Sequence, residues 1–176
     1  MSLRHFFIAS SLILAPITTL GFGSAAFADI ISDDIQLSGT VQSQIAIVAT
    51  PTAAASTLPM SPSQTGWETV KVAMLEITNN NPAGITITAD SINDGKLVSS
   101  ANSSDAIPYG IAIINYGSQA PAAIPMTPLS SVNQSVTSGF NADSGKKAMD
   151  LYIRYPVEGL KQGNYSDTLT ITVSDN

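Results

Sequence analysis

The chain has no cysteine and only one histidine, His5, and these scarcities exclude more chemistry than any motif it carries supports. Without thiols there is no disulfide framework and no thiolate metal site, so stability must come from a packed core. Basic residues are also few, seven Lys and Arg against thirteen Asp and Glu, for a net charge of −6. Nucleic-acid binding through phosphates requires clustered cations, so no nucleic acid is expected as a partner. Long apolar runs are missing too. The most hydrophobic stretch, near the start, is interrupted by Pro16, Thr18 and Thr19, well short of the roughly 20 residues that span a bilayer as a helix.

That stretch reads instead as a secretory signal peptide over residues 1–28. Arg4 and His5 form a short polar start, an apolar segment follows, and Ala26-Phe27-Ala28 is a small-x-small cleavage site. Cleavage before Asp29 removes both His5 and Arg4, leaving 148 residues with six basic and thirteen acidic side chains, a net charge of −7. The expected product is exported and lacks imidazole as well as thiol, which excludes Ser-His and Cys-His nucleophile pairs. Carboxylate pairs remain: Asp33 with Asp34, Asp90 with Asp94, and Glu68 with Glu76. Each reads more simply as a solvated face or a turn, so no enzymatic activity, catalytic residue or cofactor is expected. Residues 90–95 (Asp-Ser-Ile-Asn-Asp-Gly) are oxygen-rich but lack the closing Glu of a calcium loop, and they read as a hairpin turn rather than a metal site.

What the sequence does contain is the composition of a sheet protein. Thr, Ser, Ile and Val are abundant, and Gly, Pro or Asn clusters separate short apolar stretches. The clearest strand is the last, with Tyr165, Asp167, Leu169, Ile171 and Val173 on one face and Ser166, Thr168, Thr170 and Thr172 on the other. Before it, Met149, Leu151, Ile153 and Tyr155 alternate with polar residues, and the intervening turn predicts an antiparallel pair with the last strand. Ile107, Tyr109, Ile111 and Ile113 predict one strand, Ile85 and Ile87 another, and Leu97 and Val98 a short one after Asn93-Asp94-Gly95. Val70, Val72 and Met74 alternate, then Leu75 and Ile77 continue out of step, which predicts a β-bulge near Met74. Trp67 opens that strand and reads as core, although it could stack on a sugar or a partner. Seven or eight such strands predict an all-β fold, an antiparallel β-sandwich. Its expected core includes Val70, Val72, Ile85, Ile87, Tyr109, Ile111, Leu151, Ile153, Leu169 and Ile171.

Residues 29–48 are the most informative. Ile31, Ile35, Leu37, Val41, Ile45 and Ile47 share odd parity, with Asp33, Gly39 and Ser43 as exceptions, and the even positions from Ser32 to Gln44 are polar. Seventeen residues, 31–47, would extend about 56 Å at about 3.3 Å each, some three times a common strand. Gly39 is a natural joint between an extension, residues 29–38, and a β-sandwich domain, residues 39–176, with its first strand over 40–48. Two arrangements bury both halves. Either the chain bends at Gly39 and the extension joins the other sheet of its own domain, or the extension completes the sheet of a neighbouring molecule by strand addition.

The ending Gly163-Asn164-Tyr165-Ser166-Asp167-Thr168-Leu169-Thr170-Ile171-Thr172-Val173 resembles the terminal strand of spore coat protein U-like and archaic chaperone-usher pilin subunits. Leu37-Ser38-Gly39-Thr40-Val41 is similar to their first strand. The likeness is specific over about the last dozen residues and looser elsewhere. It implies an incomplete immunoglobulin-like sandwich, completed by a donated strand. The implied partners are copies of itself or other pilus subunits, a periplasmic chaperone and an outer-membrane usher, with the product ending at the cell surface in a fimbria or coat. By that resemblance the donor positions are Ile31, Asp33, Ile35 and Leu37, and the acceptor groove involves Tyr165, Leu169, Ile171 and Val173 on the C-terminal strand. Two features depart from the family: the absent disulfide, and the charge of Asp33 among groove-filling residues. The alternative is an exported monomeric β-sandwich that binds a ligand such as a carbohydrate.

Overall fold

A computed structural model describes residues 33–61, 63–126 and 131–176. The expected signal peptide and the donor position Ile31 lie outside the described residues. The chain divides into two units, Met1–Gly39 and Thr40–Asn176. Within the first, residues 33–39 form no strand, and Ile35 and Leu37 are 84% and 89% exposed.

The second unit is built almost entirely of antiparallel strands: β1 (Ile45–Pro51), β2 (Trp67–Asn79), β3 (Ile85–Ser91), β4 (Lys96–Ser99), β5 (Ala106–Pro108), β6 (Gly110–Asn115), β7 (Ser131–Val136), β8 (Lys146–Pro156), β9 (Tyr165–Ser166) and β10 (Leu169–Asp175). One helical turn, α1 (Ala53–Ser56), follows β1. The strands form a four-stranded sheet in the order β1-β2-β8-β6, a three-stranded sheet β10-β3-β7 and a small sheet β5-β4-β9. Alternation places one row of each strand in a shared core. In β2 the buried row runs Val70, Val72 and then Ala73, Leu75, Ile77, switching parity where the register with β8 shifts between Lys71 and Ala73. The bulge therefore sits at Val72, close to its expected place, and it keeps both halves of a thirteen-residue strand facing inward.

Ile107, Tyr109, Ile111 and Ile113 are all buried as expected, but not on one strand. β5 pairs with β4 and β6 with β8, so the chain changes sheets at Tyr109. Both sheets turn their apolar faces to the same core, so parity survives the crossing and the sequence shows no break there. The expected pairing of the last two long strands is corrected in the same way. β8 lies between β2 and β6, while β10 pairs with β3, and residues 157–164 carry the chain across rather than forming a hairpin. The Asn93-Asp94-Gly95 turn also links different sheets, with φ of 53° at Asp94 and 71° at Gly95, the left-handed pair in which Gly and Asp are tolerated.

The first strand begins later than the pattern predicts. Residues 40–44 are bracketed by Asn80, whose side chain accepts from the Gln44 backbone N–H at 2.6 Å and donates to the Gln42 carbonyl at 2.8 Å. That side chain supplies pairing beyond the end of β2, where the ladder with β1 stops at Asn79.

Tyr155 is fully buried on β8, its hydroxyl donating to the Pro59 carbonyl at 3.1 Å. Burial, seconded by the Glu68 charge, pushes its phenol up to about 12 from about 10. Folding therefore favours the protonated phenol. That stabilisation is complete below pH 10 and is lost as pH rises towards about 12. Urea midpoints should fall between pH 10 and 12, and Tyr155→Phe should fall less steeply. An equally steep fall in that variant would place the alkaline sensitivity elsewhere.

Candidate functional site

Among the described residues, β1 pairs with β2 alone and β10 with β3 alone, so each main sheet ends in an unpaired edge. The two edges face one another in opposite directions. At one end the Ser43 hydroxyl donates to the Asp175 carboxylate at 2.7 Å, tying the edges together. Towards the other end they frame a cleft of about 220 Å³ whose walls include Ala49 and Pro51 from β1 and Leu169 and Ile171 from β10. Leu151, Ile153 and Val72 form its apolar floor. A second cleft, sharing Leu58, Leu97 and Asp167, continues it past Tyr165 to Met60.

Burial stops short along this seam. Leu75, Ile77, Ile85 and Ile87 have no exposed surface, whereas Ile45, Ile47, Leu169, Ile171 and Val173 are only partly buried although they face the same core. Leu169 and Ile171, expected in the core, are thus only half-covered, because the strand that carries them is hydrogen-bonded on one side alone and β1 faces its other side without pairing. Unpaired main-chain groups beside half-covered apolar side chains are what a sheet edge presents before another strand is added.

A carboxylate also lines the apolar cleft. The Asp167 carboxylate, between β9 and β10, accepts from the Ser91 hydroxyl at 2.5 Å, the Tyr109 hydroxyl, the Asn93 N–H at 3.2 Å and the Thr168 N–H at 2.7 Å. Ser91 in turn accepts from the Gly95 N–H at 2.7 Å. Burial raises the Tyr109 phenol well above its ordinary range, seconded by its bond to Asp167, so it stays a donor. Four donors occupy a carboxylate with about four lone-pair positions, so Asp167 needs no further partner. Its role is to fix the β9–β10 kink and the turn at residues 92–95.

Of the expected site residues, Leu169, Ile171 and Val173 share the half-buried inner row of β10, but Tyr165 does not: the expected single last strand breaks at Asp167-Thr168, and Tyr165 lies on β9, paired with β4 in the small sheet. Asp33, Ile35 and Leu37 lie in irregular, exposed chain. Sequence reasoning missed the opposite wall, Ala49 and Pro51, because the expected first strand ends at residue 48, whereas β1 runs on to Pro51. It also passed over Asp167, an acid in an otherwise apolar row, which was the one available signal.

Trp67 is not core. It is 48% exposed, with the Arg154 guanidinium 5.1 Å from its ring centroid. Glu68 and Glu76 sit eight residues apart on β2, roughly 26 Å at about 3.3 Å each, too far to act as a pair. Glu76 bonds Lys146 at 2.7 Å instead. Asp150 is buried against Lys71 Nζ at 2.6 Å and accepts from the Gly117 N–H at 3.1 Å, an ion pair within one sheet rather than an open acid. Among the described residues no three His, Cys, Asp or Glu side chains are grouped to hold a metal.

The chain matches no protein-family model and no curated protein. The functional reading therefore rests on the seam and the leading segment alone.

A polar cleft near Asn80 and Asn141 is larger, about 550 Å³. Its amides are engaged in their own loops: Asn141 Oδ1 accepts from the Asp143 and Ser144 N–H groups at 3.0 and 2.9 Å, and Asn79 bonds Asn81. The apolar cleft lies below the roughly 300–1,000 Å³ of typical small-molecule pockets. Its proportions suit side chains carried on a strand.

Proposed function

We propose that this protein is a structural subunit of an extracellular fibre or surface coat, an incomplete immunoglobulin-like sandwich whose open seam receives the leading segment of another copy. The observation that carries the reading is the pair of unpaired edges, β1 and β10, flanking apolar side chains that the fold leaves half-covered. A leading segment with alternate apolar residues, Ile35 and Leu37, exposed on the same chain, supplies a matching strand. Main-chain hydrogen bonds to the edge would give affinity, and the alternate side chains would fill the cleft. On this reading a periplasmic chaperone covers the seam before assembly and an outer-membrane usher organises the exchange, since an exposed apolar edge aggregates if left bare.

The polarity of such a fibre follows from the edges. The chain enters β1 at the Ser43–Asp175 end. A donated segment running antiparallel to β10 leads to its own domain beyond the Asp167 end, away from where the acceptor's extension departs. Such a head-to-tail contact does not close on itself and extends into a filament.

The test is a synthetic peptide of residues 29–38 added to unassembled subunits. It should raise the thermal midpoint by several degrees and stop the growth of multimers. A stable monomer at every concentration, indifferent to the peptide, would refute the reading in favour of an exported binding module.

A further inference from the structure

Resting on that reading, we infer that the donated segment lies in one register, with Leu37 against Leu169, Ile35 against Ile171 and Gly39 against Asp167. Each groove position limits what it can accept. The cleft is apolar at Leu169 and Ile171, and at Asp167 its wall carries a carboxylate whose bonding capacity is already filled. Beyond Ile171 the edges converge to the Ser43–Asp175 tie.

In an antiparallel pairing, positions step by two on both strands, so only three registers bring Leu37 near the cleft. If Leu37 faced Asp167, an apolar side chain would cover a carboxylate, and Asp33 would be driven against Ile171 with no cation in the walls to meet it. Desolvating both charges opposes that arrangement. If Leu37 faced Ile171, Gly39 would stand at Leu169 and leave that part of the cleft unfilled, while Val41 would cover Asp167. An unfilled apolar void forfeits the contacts that drive insertion. The remaining register fills both apolar positions with the two apolar side chains of the segment. It sets the residue without a side chain against the carboxylate, where it displaces least solvent. Asp33 then falls opposite the half-buried Val173, outside the apolar cleft, one step from the exposed carboxylate of Asp175, where solvent screens the two like charges. The charge that looked misplaced among groove-filling residues marks where the groove ends.

The absence of native cysteine makes the register directly measurable. Directly opposed residues bring Cβ atoms to about 4.5–5.5 Å, while diagonal ones stand about 7–8 Å apart, beyond disulfide geometry. Full-length chains carrying Leu37→Cys with Leu169→Cys, or Ile35→Cys with Ile171→Cys, should oxidise to reductant-sensitive ladders at least tenfold more than the offset pairs. Those offset pairs are Ile35→Cys with Leu169→Cys and Leu37→Cys with Ile171→Cys. Using two in-register pairs protects against one substitution failing to fold. Ladders from an offset pair would overturn the register and leave strand donation standing. Multimers that form with no cross-link in any of the four variants would overturn strand donation itself.

Discussion

A chain lacking residues 29–38 is expected to fold but to form no multimers. The deleted residues contribute no strand to the Thr40–Asn176 unit where they are described, so the core around Leu75, Ile77, Ile85 and Ile87 stays intact. If the proposed function holds, the truncated subunit should remain soluble when produced with the proposed chaperone, and it should still accept a segment while offering none. Added in small proportion to the full-length protein it should therefore act as a terminator and shorten the multimers seen by size exclusion. Leu37→Asp should abolish assembly in the same way, since a carboxylate in an apolar cleft without a partner costs a few kcal/mol or more to desolvate. Gln36→Asp, on the outward parity, should change little. A truncated chain that is unfolded even with the chaperone, beside a wild type that is a stable monomer, would mean that the segment belongs to its own domain.

The second large effect separates the finished core from the seam. Ile77 has no exposed surface, and Ile77→Ala should destabilise the isolated subunit by roughly 2–5 kcal/mol, through lost transfer energy and the cavity left behind. Ile171 points to the same core from an unpaired edge and is only partly buried. Ile171→Ala should therefore cost the isolated subunit clearly less than Ile77→Ala. Its larger effect should appear in the assembled state, as multimers that dissociate at lower denaturant. Equal losses in the isolated subunit for the two variants would show that the seam is already as well packed as the interior.

How much of this was legible in the residues varies by element. The alternation of Leu169, Ile171 and Val173, the bulge in β2 and the turn at Asn93-Asp94-Gly95 are local, and each is written in parity or in a residue type. Trp67 was misread because a large aromatic at a strand start is core or surface according to which face the neighbouring sheet covers. The Asp167 cluster was half-visible as an acid in an apolar row, but its partners Ser91, Asn93 and Tyr109 come from 58 to 76 residues away.

By itself, then, the sequence determined that the chain makes strands, which face of most of them is apolar, and that cysteine and histidine chemistry is excluded from residues 29–176. Those properties depend on side-chain period and composition, which need no knowledge of neighbours. Only the tertiary structure decided which strands pair: that β8 and β10 lie in different sheets, that one continuous pattern crosses sheets at Tyr109, and that β1 and β10 are left as facing edges. Two sheets around one core give the same inward parity whether a strand pairs with its sequence neighbour or with a distant one. Pairing, and with it the open seam, is set by where long-range packing leaves no further strand to add.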